Sequence, residues 1–583
     1  MLRYFAIVLT CAAAVSCGRA PQPAAKREPG DARAKTLADA YLTAWFDRNP
    51  DQGTYYGVPG RHHDRLPDNS AAALTAWQKQ EDAFLAEIKQ IDRDAIESEP
   101  LRATYAITRE ALESSVGLRV CRNELWTVSQ FVNAWQVAFG YLVTIQPVGT
   151  DEARAEALAR WGALPKYIDT EIANLREGLK LGYSAPKGNV RIVIDQMNTL
   201  TTGPLADSPF DSPALRDKTP EFRRRFDALL KTAINPAMRR YRDFLEKEYL
   251  PAARDEVGVN ANPNGAACYD ASVRFHSSLP VPAKDVHDTG LKQIDRIASE
   301  MKTIAERSFQ TSDVPALLQR LRTDKQYLFK SREELISYSQ AALARSKAAM
   351  PQWFGLLPKA DVVIEPYPKF REKNGPNEYN PPAEDGSRPA IFFISAYQAE
   401  KKGRAEAEST AFHETIPGHH LQGAIAVERK TIHPIGRYIG NSGYTEGWGL
   451  YAERLADEMK LYSSDLDRMG MLSNQALRAA RLVVDSGLHA LGWTRQQAID
   501  YMLAHTAESP DDVTAEVDRY IIYPGQATAY MLGQLQIRKA RDEAQQVMGD
   551  RFAIKTFHDR VLEDGAVPLT YLTEKIRAWE HAK

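Results

Sequence analysis

The sequence predicts a mainly α-helical protein, and three observations carry that prediction. Apolar residues recur at three- and four-residue spacing, as in Leu37, Ala40, Tyr41 and Ala44 or Trp161, Leu164, Tyr167 and Ile168. Pro/Gly breaks such as Asn49-Pro50, Thr201-Thr-Gly-Pro204 and Ser208-Pro-Phe-Asp-Ser-Pro213 separate these stretches, as turns between packed helices require. Only Asp361-Val-Val-Ile-Glu-Pro-Tyr-Pro368 and Arg388-Pro-Ala-Ile-Phe-Phe-Ile-Ser395 read as strands, so a short β-hairpin or small sheet is expected beside the helices, with a deep cleft.

In chain order, Met1 to Cys17 combines a basic residue, a short apolar run and small residues, which is the pattern of an export signal. Its end, Ala14-Val15-Ser16-Cys17, resembles a bacterial lipobox, which would make Cys17 the lipidated first residue of a periplasmic or cell-envelope protein; a plain secretory signal is the alternative. Residues 18–35 are Pro/Ala-rich at first and read as a tether. The remainder, 36–583, is more than one apolar core usually supports, so it should form an N-terminal helical lobe (36–265) and a second lobe (266–583) joined at the turn-rich Asn260-Ala-Asn-Pro-Asn-Gly265. No later segment is apolar enough to span a bilayer.

Composition narrows the function classes. With 44% hydrophobic and 26% charged residues and a net charge of -2, the chain is neither disordered in bulk nor built to bind a polyanion such as nucleic acid. Beyond the signal and Cys17 the cysteines are Cys121 and Cys268, which either pair or remain buried thiols. No Gly-x-Ser-x-Gly elbow, phosphate loop or dinucleotide fingerprint occurs, so serine-hydrolase, nucleotide and redox chemistry are disfavoured.

The chemistry concentrates in Ala411-Phe-His-Glu-Thr-Ile-Pro-Gly-His-His-Leu-Gln422. A His-Glu pair with further histidines one to two turns on is how a helix holds zinc and sets a general base beside it. His413 is the first candidate ligand and Glu414 the candidate base. The usual second histidine, at i+4, is replaced by Pro417. In an ideal helix His419 would be turned away by roughly 120°, while His420 would realign but lie about 10 Å along the axis. Pro417 and Gly418 therefore predict a break in the helix, which could bring His419 round. Downstream, Gly443-Tyr-Thr-Glu-Gly-Trp-Gly-Leu-Tyr-Ala-Glu453 places Glu446 and Glu453 on one helical face, one suited to bind metal and the other to hold a ligand histidine.

These motifs, with Tyr451-Ala-Glu453 and Tyr523-Pro-Gly-Gln-Ala-Thr-Ala-Tyr530, resemble the bacterial family known as domain of unknown function 885 (DUF885) from about Thr36 to the C-terminus. Cys121-Arg-Asn-Glu-Leu-Trp126 and Cys268-Tyr-Asp-Ala-Ser-Val-Arg274 fit it too. That family looks similar to helical zinc peptidases that use His-Glu-x-x-His plus a later Glu. The resemblance implies a metallopeptidase-like fold, His419 rather than His420 as second ligand, and Glu446 as third.

Around this centre, Arg481, Asp485 and His489 recur four apart, so Asp485 could orient His489 as a donor to a transition state; an ion-pair ladder is the alternative. Tyr523 or Tyr530 could supply a hydroxyl to a developing oxyanion. Arg388, Arg478 and Arg519 are candidates to clamp a substrate carboxylate. Isolated histidines such as His62, His63, His276 and His433 read as surface or capping residues. The expectation is a zinc-dependent peptidase acting on peptides. A zinc hydrolase of a non-peptide amide or cell-wall substrate, and a non-catalytic peptide-binding lipoprotein, are the alternatives.

Overall fold

The computed structural model describes residues 29–204, 208–367, 377–382 and 389–582. The expected export signal, Cys17 with its expected lipid, most of the expected tether and Arg388 lie outside them. Helices dominate, and the described strands form one small sheet, as the spacing of apolar residues predicts. None of the described helices is long and apolar enough to cross a membrane.

The apolar residues gather into two cores, and the division differs from the expected boundary near residue 265. One core is confined to Val128–Ala253, with Trp161, Phe210, Leu230 and Tyr241 at its centre. The other joins Leu37, Tyr41, Leu112, Cys121 and Trp126 to apolar residues from Val259 through Ile576. The first helices of the chain thus return to the larger core because their apolar stripes face it: the Phe46 ring meets Tyr438 edge-on at 5.2 Å. Helix α1 (Glu99–Leu118) leads into Cys121, and α2 (Gly265–Ser277) carries Cys268. These two buried cysteines form a disulfide with Cα atoms 4.6 Å apart, which resolves the alternatives left by the sequence.

Two long helices follow, α3 (Ala283–Phe309) and α4 (Arg332–Trp353). The sheet comes next: β1 (Val362–Pro366), β2 (Glu378–Asn380) and β3 (Ala390–Ile394), in the order β1-β3-β2. The two strands read from sequence do not form a hairpin with each other. They pair in parallel, Val362 opposite Ala390 and Ile364 opposite Phe392, while β2 pairs antiparallel with β3 through Tyr379 opposite Phe392. Three residues are too few for β2 to show an alternating pattern. Val362, Ile364, Ala390, Phe392 and Ile394 bury one face of the sheet, and α4 packs against β1.

The remaining helices frame the candidate site: α5 (Ala407–Glu414), α6 (His419–Glu428), α7 (Ser442–Glu458), α8 (Asp465–Ala490), α9 (Pro510–Ile522) and α10 (Ala529–Met548). Helix α8 runs through the larger core, buried almost all round and packed along α3, as a helix without a continuous polar face must be. Helix α5 packs against α4, α7 and α8, and α7 crosses α10.

Candidate metal centre

The helix bearing His413 stops at Glu414 and a new one starts at His419, so the expected break lies between the two histidines. Thr415 leaves helical geometry (φ -108°, ψ -106°), and the Ile416–Pro417 bond is cis. The break frees carbonyls in the protein interior, where an unpaired one is costly. Ser346 Oγ donates to the Ile416 carbonyl at 2.7 Å, and Trp448 Nε1 donates to that of Pro417 at 2.9 Å. Gly418 turns back so closely that a Cβ there would lie 1.9 Å from the His413 carbonyl oxygen, which leaves room only for glycine.

This turn brings His413 and His419 together, their rings edge to face at 4.6 Å. Glu446 arrives from α7, whose first turn is capped by the Asn441 side chain accepting from the Tyr444 amide. Glu446 Oε2 lies 3.7 Å from His413 Nε2 and 3.5 Å from His419 Nε2. Ligand atoms of the three residues all fall within 4.8 Å of one another. Donors each 2.0–2.1 Å from a tetrahedral ion sit about 3.4 Å apart, so this nitrogen-nitrogen-oxygen set fits a metal such as zinc. Gly449, one turn along α7, makes the space: a Cβ there would come within 2.7 Å of His413 Nε2.

Burial is graded across the set. The side chain of His413 is 5% exposed, that of His419 14% and that of Glu446 23%, so the cluster is open on the Glu446 side. Behind it, His413 Nδ1 donates to Glu453 Oε1 at 2.8 Å, and the Glu453 side chain is fully buried. Gln475 donates to the other Glu453 oxygen at 3.3 Å and accepts from Gln534 at 2.7 Å. These two glutamines were not legible in the sequence, because nothing in their local pattern marks them. Burial opposes a charge on His413, but the carboxylates of Glu446 and Glu453 outweigh it and push the imidazole up to about 9. They favour positive charge at this point, whether a proton or a metal ion. Burial raises the Glu414 carboxyl above the usual range, against the pull of His419 and His413.

The other histidine candidates go elsewhere. His420 is fully buried, with Nε2 donating to the Ala360 carbonyl and Nδ1 accepting from the Tyr379 hydroxyl, each at 3.1 Å. It fastens α6 to the sheet. His489 is not brought to the cluster: the Val259 amide donates to Nδ1 at 2.9 Å, and Nε2 donates to the Tyr520 carbonyl at 3.0 Å. Asp485 does not orient it, accepting instead from the Gly525 amide at 3.0 Å. Residues four apart share a face, but these two meet different neighbours, so His489 holds backbone segments together and has no free nitrogen for a substrate. His276 and His433 are buried rather than on the surface; His433 Nδ1 accepts from the Ile435 amide, and the His276 ring packs against Tyr523 at 4.9 Å.

The two tyrosines separate. Tyr523 ends α9 and lies between His276 and Phe131. Tyr530, on α10, is buried enough to raise its phenol, which also feels the negative charge of Glu446 and the positive charges of Arg481, Arg519 and Arg478. Of the two tyrosines it is the one whose phenol feels a metal-capable residue, Glu446.

The comparisons with known proteins agree with this fold. No curated protein matches the sequence. Among solved structures, the chain resembles "the putative lipoprotein from Colwellia psychrerythraea", with a TM-score of 0.86 and 26% identity over 94% of this chain and 100% of that one. It also resembles "a putative lipoprotein of unknown function from Shewanella oneidensis", with a TM-score of 0.76 and 17% identity over 93% of this chain and 99% of that one, a likeness of fold. The profile of the family described as "Bacterial protein of unknown function (DUF885)" matches residues 50–576, and the chain belongs to that family.

Proposed function

We propose that the protein is a zinc-dependent peptidase. The observation that carries the proposal is the convergence of His413 Nε2, His419 Nε2 and Glu446 Oε2, with Glu453 behind His413 and Glu414 next to it in sequence. A zinc ion held there supplies a Lewis acid that polarises a carbonyl and acidifies water near neutral pH. His413 and His419 would hold it through Nε2 and Glu446 through Oε2. Glu453 keeps the His413 Nδ1 proton engaged and fixes the plane of the ring. Glu414, made more basic by burial, takes a proton from the attacking water and passes it to the leaving amine nitrogen. The Tyr530 hydroxyl, which feels the charge of Glu446, donates to the oxyanion that develops on the substrate carbonyl.

Two observations support the expected location as an exported lipoprotein anchored through Cys17. The structural neighbours carry lipoprotein descriptions, and a Cys121–Cys268 disulfide suits an oxidising compartment. Elemental analysis of protein purified without chelator tests the metal assignment. Near-stoichiometric zinc in the wild type and its loss in His413→Ala are expected; a wild type that takes up no zinc even when it is supplied contradicts the proposal.

A further inference from the structure

One face of α8 carries positive charge toward the candidate centre that the fold does not use up. Arg478 spends only Nη1, on the carbonyl and side-chain oxygens of Asn474 at 3.4 and 3.3 Å, and makes no ion pair among the described residues. Two acids that feel its charge are poor counterions, because burial pushes Glu406 up and Glu508 up to about 8. The positive charge of Arg478 also acts on Glu414, the proposed base. One turn on, Arg481 is only 7% exposed; its Nε donates to the Tyr520 hydroxyl at 2.8 Å and Nη2 to Glu516 at 2.7 Å, while Nη1 has no partner. A buried guanidinium nitrogen without an acceptor is a costly feature that a ligand oxygen would relieve.

Tyr530 links these charges to the centre. Arg481 stacks over its ring at 4.5 Å and Arg478 at 6.0 Å, while its phenol feels the charge of Glu446. The phenol makes no hydrogen bond among the described residues, and it is not sealed from solvent. An anion beside Arg478 and Tyr530 would therefore bind where the arginine charges, the phenol and the field of a proposed zinc ligand, Glu446, meet.

We propose that Arg478 and Tyr530, backed by Arg481, bind the terminal α-carboxylate of a peptide, so that the enzyme removes residues from the carboxyl end. This rests on the peptidase reading and narrows its substrate class to peptides with a free C-terminus. Hydrolysis adds water across the peptide bond, leaving a carboxylate on the longer product and an amine on the released fragment; the clamped carboxylate is unchanged. Arginine suits the task because its planar fork matches two carboxylate oxygens.

The test is binding to zinc-loaded Glu414→Gln protein, expected to turn substrate over about 10²–10⁴-fold more slowly, using mixed-sequence pentapeptide pools that carry no Asp or Glu apart from one placed Glu in the third pool. One pool has free C-termini, one has C-terminal amides, and a third has amides preceded by Glu. The free-acid pool is expected to bind about tenfold or more tighter than the plain amides. Adding Arg478→Gln, checked for retained zinc and helical content, should remove that preference, and Arg478→Lys should restore part of it. Equal binding of acids and amides, binding of neither pool, or amides ending in Glu binding as well as free acids overturns the α-carboxylate assignment. Hydrolysis by the wild type is read separately, so a failed clamp and a failed peptidase reading give different results.

Discussion

Glu453 Oε1 lies 2.8 Å from His413 Nδ1, which sets a fully buried carboxylate directly behind a metal-capable imidazole. The pair joins α7 to α5 and fixes which nitrogen of His413 faces Glu446. Glu453→Gln keeps the shape and an acceptor oxygen but removes the charge. Zinc affinity, measured by competition with a chelator, should fall roughly 10–100-fold. An unchanged affinity would show that Glu453 only supports the helix packing.

Gly449 predicts a steric effect at the same imidazole. In Gly449→Ala the new methyl would sit 2.7 Å from His413 Nε2. The crowding should cost about 1–3 kcal/mol of stability and displace the ring, so zinc content should drop while circular dichroism remains helical. Full zinc occupancy in this variant would mean that His413 does not ligate through Nε2 in this orientation.

How far the centre could be read from sequence depended on whether local chain geometry decided the outcome. Pro417 and Gly418 act on their own backbone, so the break between His413 and His419 was legible, as was the shared face of Glu446 and Glu453 one helix later. The roles imagined for Asp485 and His489 failed because their partners, Gly525, Val259 and Tyr520, come from distant segments. The same holds for the sheet, whose β1 and β3 pair in parallel across intervening chain that carries β2. The return of the first helices to the larger core likewise rests on contacts such as Phe46 with Tyr438, which no local spacing records.

Asp485 makes the stability depend on pH. Burial pushes its carboxyl up to about 7, with the Tyr269 hydroxyl and the Gly525 amide pulling the other way. The folded state therefore holds a proton that the unfolded chain has released above about pH 4. Between about pH 4 and 7 this group makes the fold less stable as pH rises, with no further loss above. In Asp485→Asn that contribution should vanish, so denaturant titrations should show a shallower fall in stability across the window than in the wild type. Parallel profiles for the two proteins would refute a raised Asp485.

The Cys121–Cys268 bridge closes a loop with a sequence separation of 147 residues. In the chain-entropy model such a loop is worth roughly 4–5 kcal/mol. The double substitution Cys121→Ser/Cys268→Ser should lower Tm by several degrees, read by calorimetry, yet leave zinc content intact, since the bridge joins α1 to α2 and touches none of the proposed ligands. Equal loss of zinc would tie the bridge to the centre instead.

The claim at the heart of this account is that Glu414 is the base of a zinc peptidase. The direct measurement is the rate of peptide hydrolysis by zinc-loaded wild type and Glu414→Gln side by side, with zinc content determined on the same samples. The account predicts bound zinc in both and a loss of about 10²–10⁴-fold in kcat for the variant. Full turnover by zinc-loaded Glu414→Gln would contradict it.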